Sequence, residues 1–425
     1  MNFPHEVLPL DLDHHSPLDE AIARSHAPGL GHLRTFLAVT DTGSFAAAAR
    51  VLFRVQSAIT RSIKELEDTF ATQLFQRTPA GVVPTSSAEA VLPRVRAVMG
   101  DLSVWSRNRL PEDQAATIYR HLPAAALNGR RLEIFCRLLR SRHMPTVAKQ
   151  MGVSQPAVSA AISLLEECVD EKLFLRTARG LTPTTKAVRL GQMTRRALND
   201  LSRIGSDIAS REGTLSGEVV VGALPLSRAS LFPQAIAQLV TEHPQVKVST
   251  VESPFEDLCS DLRAGHIDFI VGALRDSQYA RDLEAMELFS EPLAVVVRQD
   301  HPVAPARSLA LPDLLAWQWI VPRRDTPARS MLTAALACHG DAQPVISVES
   351  ADSSIIRGLL AQSDMVAVVS KTQMAAEIAS GEIVALPLAL EGTARSIGII
   401  RRAGVLESPP AAALASKIRA IALAR

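Results

Sequence analysis

Cysteine is scarce in this sequence of 425 residues, and its placement excludes two kinds of site. No two cysteines form a Cys-x-x-Cys pair; they stand apart at Cys136, Cys168, Cys259 and Cys338. This spacing indicates neither a zinc site nor a disulfide framework, and it is typical of reduced thiols in a cytoplasm. We therefore predict a cytoplasmic protein with no metal site.

Long apolar runs and a large net charge are missing as well. No apolar run approaches the roughly 18 residues of a membrane-spanning helix, and the start MNFPHEVLPLDLDHH lacks the pattern of a signal peptide. We therefore expect no membrane partner, and we interpret residues 1–29 as a mobile leader. The net charge of +1 excludes a chain that is basic throughout, but a basic patch on one domain is compatible with it.

Catalytic motifs are absent too. The sequence contains no G-x-S-x-G elbow, no P-loop, no G-x-G-x-x-G and no H-E-x-x-H. The scattered Ser, Asp and His residues form no constellation that suits nucleophilic or acid–base chemistry. We predict that the protein is not an enzyme, has no catalytic residue and needs no cofactor.

What the sequence does contain is a repeat. LFRVQSAITRSIKELED, beginning at Leu52, aligns with MGVSQPAVSAAISLLEE, beginning at Met151, at a constant offset of 99 residues. Each stretch is followed by a similar one, LFQRT…GVVPT or LFLRT…GLTPT, and then by a long helical pattern. A repeat of this kind predicts one structural unit that is present twice.

The second repeat has the features of a helix-turn-helix. Gly152 suits a tight turn, Ser154 suits the N-cap of the next helix, and Pro156 suits its first turn. A buried stripe and a small polar face are formed by Val158, Ile162 and Leu165, and by Gln155, Ser159 and Ser163. The following KLFLRTARGLTPT indicates a hairpin whose arginines could reach phosphates. A helix pair that packs without binding DNA remains an alternative.

The first repeat keeps its buried stripe but lacks three local features. Phe53, Val55 and Ser57 stand where the second repeat has Gly152, Ser154 and Pro156. Because a Phe in the left-handed conformation costs roughly 1–2 kcal/mol, we expect this turn to take another shape. Its surface is more basic, with Arg54, Arg61 and Lys64 in place of Val153, Ala160 and Ser163. This favours phosphate contacts over base reading, although a solvated basic face on a structural domain is an alternative.

From Gly217 the sequence alternates short β-rich runs with helical runs, as in EVVVGAL, RASLFPQAIAQLVTEH and VKVSTVE. Such alternation predicts βαβ units and parallel sheets. Small molecules bind such sheets beyond the carboxyl ends of the strands, where helix N-termini favour anions. Our candidate residues at those ends are Leu226, Ser227, Arg228, Ser253, Ala273, Arg324 and Ser350. Plain helix capping is the alternative explanation of the serines.

These motifs carry a resemblance to a known family. LEIFCRLLRSRHMPTVAKQMGVSQPAVSAAISLLEECVDEKLFLRTARGLTPT resembles the DNA-binding domain of LysR-type transcriptional regulators. GEVVVGALPLSRASLFPQAIAQLVTEHPQVKVSTVE is similar to the start of their effector-binding domain. The resemblance implies a winged helix-turn-helix, a long dimerising linker helix and a two-lobed domain. The extra N-terminal repeat departs from the family's usual plan, and resembles a small branch with doubled DNA-binding domains, some of which control sugar uptake.

We therefore predict a sequence-specific DNA-binding transcription regulator that is switched by a small-molecule effector bound between two α/β lobes. Its expected partners are double-stranded DNA, an anionic or sugar-derived effector, and further copies of the chain in a homodimer or homotetramer. The contact between copies is expected along one stripe of the second linker helix, formed by Leu190, Met193, Ala197, Leu201 and Ile204. The first long helix has its own stripe of Leu92, Val95, Val98 and Leu102, for which pairing within the chain against the second long helix and pairing across chains both remain open. The alternative function is a solute-binding sensor whose helical domains serve only assembly.

The predicted fold class is multidomain, with two all-α winged helix-turn-helix domains, long linker helices and a two-lobed α/β effector domain like a type 2 periplasmic binding protein. After the leader, the two winged domains are predicted at residues 30–88 and 129–185. The first linker helix and its connection are predicted at 89–128, and the second linker helix at 186–213. The effector domain is predicted at 214–425, with lobe I at 216–291 and 403–425 and lobe II at 292–402. The predicted DNA-binding residues are Ser154, Gln155, Pro156, Ser159, Arg176, Arg179, Gln56, Thr60, Arg61, Lys64 and Arg77.

Overall fold

The chain folds into two compact units in the computed structural model, which describes residues 28–79, 81–106, 119–177, 180–275, 282–338 and 343–424. The first unit extends to Thr214 and includes the short stretch Ala264–His266; the second contains the rest of the chain. Residues 1–27 of the predicted leader, and the predicted DNA-binding residue Arg179, lie outside the described residues.

The first unit begins with three helices and an antiparallel hairpin, which we call the first segment. Its elements are α1 (Leu30–Thr42), α2 (Phe45–Val51), α3 (Gln56–Phe70), β1 (Phe75–Thr78) and β2 (Gly81–Pro84). The apolar positions of α1 and α3 are buried together, with Phe36, Ile59 and Leu66 at the centre. The buried stripe predicted for this repeat is therefore present.

A second set of three helices and a hairpin, the second segment, follows the same order. Its elements are α5 (Gly129–Ser141), α6 (Met144–Met151), α7 (Gln155–Val169), β3 (Phe174–Thr177) and β4 (Gly180–Pro183). Ser154 caps α7 by accepting a hydrogen bond from the amide of Ala157 (3.4 Å), and Pro156 lies in the first turn. The cap and the hairpin agree with the sequence-based prediction.

The turn between α2 and α3 differs from our expectation. Phe53 adopts the left-handed conformation, with φ of 53°, as Gly152 does in the second segment with φ of 62°. Both turns close with the same pair of backbone bonds: Phe53 N to Arg50 O (3.3 Å) and Arg54 N to Ala49 O (2.9 Å), against Gly152 N to Lys149 O (3.3 Å) and Val153 N to Ala148 O (3.0 Å). The prediction of another turn shape was wrong, because the packing of the flanking helices overrides the backbone preference of Phe53.

Each segment is followed by a long helix, α4 (Ser86–Leu102) or α8 (Thr185–Arg211). Thr85 and Thr184 cap them by accepting hydrogen bonds from the amides of Ala88 and Ala187, both at 3.2 Å. The two helices pack against each other and run antiparallel, because residues late in α4 meet residues early in α8. The side-chain pairs are Arg94 with Asp207 and Asp200, Asp101 with Arg196, and Trp105 with Thr194.

In this structure the stripe of α8 that we expected to contact a second chain packs against α4 of the same chain, which is one of the two pairings expected for the first long helix. The stripe lies in the same buried cluster as the apolar face of α4. Its buried members are Leu190, Ala197, Leu201 and Ile204, and those of α4 are Val91, Val95, Val98, Met99 and Leu102. Met193, the fifth member of the stripe, is half-buried. Within the predicted linker helix and connection of residues 89–128, α4 ends at Leu102.

A charged cluster lies inside this helix pair. The Arg94 side chain is 1 % exposed; its Nε donates to Asp207 Oδ2 at 2.5 Å and its Nη1 donates to Asp200 Oδ1 at 3.3 Å. Burial raises the pKa of the Asp207 carboxyl, although the paired Arg94 acts in the opposite direction. Since removing charges from water is costly, such a cluster adds less stability than its short distances suggest, but losing one partner leaves a buried charge uncompensated.

The second unit contains two five-stranded mixed sheets, which we call lobe I and lobe II. Lobe I has the strand order β6-β5-β7-β14-β8. Its strands are β5 (Gly217–Ala223), β6 (Val246–Val251), β7 (Phe269–Ala273), β8 (Leu283–Glu291) and β14 (Arg395–Arg402). Its helices are α9 (Pro225–Arg228), α10 (Leu231–Glu242), α11 (Phe255–Ala264) and α15 (Pro409–Leu423). As the alternating pattern predicted, β5 pairs in parallel with β6 and β7.

Lobe II has the strand order β11-β10-β12-β9-β13. Its strands are β9 (Leu293–Arg298), β10 (Gln318–Val321), β11 (Val345–Glu349), β12 (Val366–Ser370) and β13 (Ile383–Ala385). Its helices are α12 (Pro327–Ala337), α13 (Ser353–Gln362) and α14 (Ala375–Ser380). Apolar residues on both faces of the sheet are covered, with Val295 and Trp319 on one side and Val296 and Ile320 on the other.

The chain crosses between the lobes at two places. The first crossing joins β8 to β9 at Glu291–Leu293, as predicted. The second crossing, which the predicted lobe bounds place between residues 402 and 403, lies instead before Arg395, because β14 pairs antiparallel with both β7 and β8 of lobe I. The predicted extent of lobe II, 292–402, was therefore wrong: residues 395–402 belong to lobe I. The apolar run of β14 identified a strand but did not reveal its neighbours.

We expect the buried pairing of Arg94 to matter far more than an exposed pairing on the same helix. Arg94→Ala should lower the free energy of unfolding of the first unit by about 3–5 kcal/mol, because two carboxylates lose their buried partner. The matched control is Arg96→Ala, since Arg96 is half exposed and contacts Asp41 at 3.3 Å; it should cost less than about 1 kcal/mol. Urea unfolding followed by circular dichroism measures both, and equal losses would contradict the assignment.

We also expect the strained turn to be improvable. Phe53 is 96 % exposed, so its side chain contributes little packing while its backbone is strained. Phe53→Gly should therefore raise the unfolding midpoint by the equivalent of about 1 kcal/mol. The reciprocal change, Gly152→Phe, should lower it by a similar amount. A loss of stability in Phe53→Gly would mean that the Phe53 side chain packs in solution.

Candidate functional site

The N-terminal end of α7 presents small polar side chains to solvent. Ser154, Gln155, Pro156 and Ser159 are all exposed, while Val158 and Ile162 behind them are buried. Arg176 is exposed on the hairpin that follows. A helix-turn-helix places this end of its second helix against base edges in the major groove, and a cationic wing next to phosphates. Ser154, Gln155, Ser159 and Arg176 are therefore exposed and offer the polar and cationic groups that such a contact needs.

The matching end of α3 is exposed but more basic. Gln56, Thr60, Arg61, Lys64 and, on the hairpin, Arg77 are exposed. Arg61 contacts Glu65 at 2.8 Å with 82 % of its side chain accessible, a pair of the weak surface kind that a phosphate can displace. Val55 precedes the helix without any side-chain cap bond, and it is itself exposed. This end of α3 therefore offers cations rather than a preorganised set of polar groups.

A cavity lies between lobe I and lobe II, at the level of the two crossings. It encloses about 680 Å³ of space that protein atoms do not fill, including its open mouth. Lobe I contributes Leu226 and Ala273, and lobe II contributes Ser350 and the start of α12. Pockets with a mainly apolar lining bind small molecules, and their few polar groups fix the orientation of the ligand.

The structure brings three of the seven predicted effector residues to this cavity: Leu226, Ala273 and Ser350. Ser227 is fully buried, and its hydroxyl lies 2.8 Å from Leu224 O and 3.0 Å from Val271 O, so it holds the backbone of lobe I. Arg228 and Ser253 are not in the lining. Arg324 is 84 % exposed and pairs with Glu349 at 3.0 Å, outside the cavity. Proximity to a strand end therefore did not decide which side chains point inward.

Several polar lining residues were absent from the predicted set. They are Arg275, Thr326, Ser370, Gln373 and Arg395. Arg275 and Ser370 stand at or just beyond strand ends, so the same rule could have found them. Arg395 could not have been found that way, because it begins a strand that was assigned to the wrong lobe.

The described residues contain no metal-binding cluster, no disulfide and no membrane-spanning helix. No group of three or more His, Cys, Asp or Glu side chains in the described ranges could hold a metal ion. The four cysteines form no disulfide, and burial raises the pKa of the Cys259 thiol to about 11. Within the same ranges, no helix combines the length and apolar character needed to cross a bilayer.

Known families match the first segment, the second segment and the second unit of this chain. Residues 30–89 and 130–188 match the family described as bacterial regulatory helix-turn-helix protein, lysR family. Residues 212–422 match the LysR substrate binding domain. A full-length OxyR variant from Pseudomonas aeruginosa has a similar fold, with a TM-score of 0.51 and 23% identity, over 69% of this chain and 94% of that one.

Individual relatives agree with the family assignment. The HTH-type transcriptional regulator GalR of Pseudomonas putida is 45% identical over 394 residues, which are 93% of this chain and 97% of that protein. The HTH-type transcriptional regulator PcaQ of Agrobacterium fabrum is 28% identical over 68% of this chain and 93% of its own length. The predicted function is thus confirmed: this is a DNA-binding transcription regulator with an effector-binding domain, and the chain belongs to the LysR family.

Proposed function

We propose that this regulator carries two winged helix-turn-helix domains in one chain and that its two long helices join them into a single DNA-binding module. The second segment reads the sequence of the operator, and the first segment adds electrostatic grip. A small molecule in the cavity between lobe I and lobe II switches the activity. The observation that carries the proposal is the antiparallel pairing of α4 with α8 inside one chain.

Equivalent hydrogen bonds at equivalent positions support the view that the segments are two copies of one domain. In each segment, a glutamate near the end of the third helix accepts a hydrogen bond from the backbone amide of the leucine that precedes the hairpin. The carbonyl oxygen of that leucine accepts a hydrogen bond from the amide of the threonine that follows the hairpin. The bonds are Leu74 N to Glu67 (2.8 Å) and Thr85 N to Leu74 O (2.9 Å), against Leu173 N to Glu166 (2.9 Å) and Thr184 N to Leu173 O (2.9 Å). All partners differ by the offset of 99 residues found in the sequence.

The comparisons favour the same interpretation. The helix-turn-helix family matches each segment separately, over 30–89 and 130–188. The alignment with GalR leaves only about a fourteenth of this chain uncovered, which is less than either segment, so that relative aligns with part of both. A single-copy regulator would align with one of them alone.

The ion pairs between the long helices use two carboxylates at equivalent positions. Asp101 and Asp200 differ by the 99-residue offset, and each accepts an arginine from the opposite helix. Arg196 is bound to Asp101, and this bond raises its pKa; Arg94 is bound to Asp200. The two arginines are not equivalent, since the offset relates Arg196 to Ala97 and Arg94 to Met193. In our proposal the first copy serves as the pairing partner of the second, and a homodimer or homotetramer forms through other surfaces.

The difference between the two exposed helix ends supports a division of labour. At α7 the cap of Ser154 fixes the first turn, so Gln155 and Ser159 are held ready for base edges. At α3 the cap is missing and the added residues, Arg61 and Lys64, are cations that attract any phosphate. Preorganised polar groups give specificity, whereas mobile cations give affinity without it.

We expect the joint change Gln155→Ala and Ser159→Ala to abolish discrimination between operator and random DNA. Each good base contact is worth about 1–3 kcal/mol, so their loss removes most of the specificity ratio. The matched control is Gln56→Ala with Thr60→Ala, which alters the equivalent positions of the first copy and should leave discrimination nearly intact. Fluorescence anisotropy with operators selected in vitro by the unaltered protein measures both ratios.

We expect the joint change Arg61→Ala and Lys64→Ala to weaken binding to all DNA sequences alike. The slope of log K against log salt should flatten by about one unit for each phosphate contact that is lost. The same anisotropy titrations at several salt concentrations give this slope. If this change removed specificity while the change at Gln155 and Ser159 did not, the first copy would be the reader and the proposed roles would be reversed.

A further inference from the structure

The cavity between the lobes contains one cation whose hydrogen-bonding capacity is not met. Arg395 begins β14 at the second crossing, and its side chain lines the cavity. Its Nε is shielded from solvent and has no hydrogen-bond partner among the described residues. A guanidinium N–H that is shielded from water and has no acceptor is costly, so a ligand group that accepts a hydrogen bond from it recovers that energy.

The nearest acidic neighbour of Arg395 is already engaged. Glu291 faces Arg395 across β8 and β14, and its charge acts on the guanidinium. Its carboxylate, however, accepts bonds from the Ser370 hydroxyl, from the amide of Thr372 (2.9 Å) and from the Thr372 hydroxyl (3.1 Å). Those bonds fix the first crossing to lobe II. Consistent with an environment that compensates the charge poorly, burial lowers the pKa of Arg395 in spite of Glu291.

Arg275, the other cation in the described lining of the cavity, already has partners. Arg275 donates to Glu256 at 2.6 Å, and its guanidinium stacks over the Phe255 ring at 4.1 Å. Both its charge and its flat face therefore have partners within lobe I. This contrast singles out Arg395 as the cation that a ligand would meet.

We infer that the effector is a small organic monocarboxylate with an apolar body, and that its carboxylate pairs with Arg395. This inference rests on the proposed effector switch and names the chemical class of its ligand. A carboxylate matches the planar donors of a guanidinium group. The apolar body matches the apolar part of the lining, which includes Leu224, Leu226, Leu293, Ile356 and Val368.

The surroundings disfavour the other ligand classes. A phosphate ester with two negative charges would meet only one cation of the described cavity lining that is not already paired, beside the negative charge of Glu291. A neutral sugar would leave the donor of Arg395 without a charged acceptor and would place many hydroxyls against aliphatic walls. A single negative charge at one end of an apolar molecule avoids both costs.

The test uses the full-length protein and a series of monocarboxylates of graded size, from propanoate to cyclohexanecarboxylate and benzoate, each with its neutral amide, and inorganic phosphate. Thermal unfolding at millimolar ligand concentrations measures binding to the unaltered protein, to Arg395→Gln and to Arg395→Lys. Arg324→Gln is the matched control, because Arg324 also follows a strand end but lies outside the cavity. Binding to selected operator DNA without ligand is measured for every variant.

We expect carboxylates to raise the unfolding temperature of the unaltered protein and of Arg324→Gln, while the amides and phosphate do not. Arg395→Gln should weaken carboxylate binding about 10- to 100-fold, as expected for loss of one charge-assisted hydrogen bond, and Arg395→Lys should restore part of it. Equal effects of amides and carboxylates, no effect of any carboxylate, or unchanged binding by Arg395→Gln would each overturn the inference. Normal operator binding in those same samples would show that the DNA-binding proposal stands independently.

Discussion

The architecture of the first unit depends on the contact between α4 and α8, and above all on the charged cluster of Arg94, Asp200 and Asp207 at its centre. Apolar stripes alone permit several registers between two antiparallel helices, since any turn can slide onto the next. A buried arginine that must meet two carboxylates permits only one register. The cluster is costly to desolvate, and its value therefore lies in specifying the register rather than in adding net stability.

A fixed register has a direct consequence for DNA recognition. The segments are joined to the ends of α4 and α8, so the spacing of the two exposed helix ends is set within the chain and not by association with a second molecule. Under the proposed division of labour, this leaves the first segment able to carry cations, Arg61 and Lys64, where the second has Ala160 and Ser163.

Much of this could be predicted from the sequence, and the failures have physical causes. Local features were readable: Ser154 as a cap, the stripe of Val158 and Ile162, and the parallel strands after Gly217. Non-local choices were not. An apolar stripe does not say which apolar stripe covers it, so the sequence left open whether the first long helix pairs with α8 of its own chain or across chains. A strand pattern does not name its neighbours, so Arg395, the principal polar residue of the cavity, was missed together with the true position of β14.

The most direct test of the account is a charge exchange at the contact between Asp101 and Arg196, made within one chain or divided between two. Each single variant, Asp101→Arg or Arg196→Asp, should lower the urea midpoint of the first unit and weaken operator binding. If the helices pair within a chain, the double variant should recover both properties, and an equal mixture of the two single variants, refolded together, should not. Recovery in the mixture would contradict the account, because it would mean that α4 of one chain pairs with α8 of another.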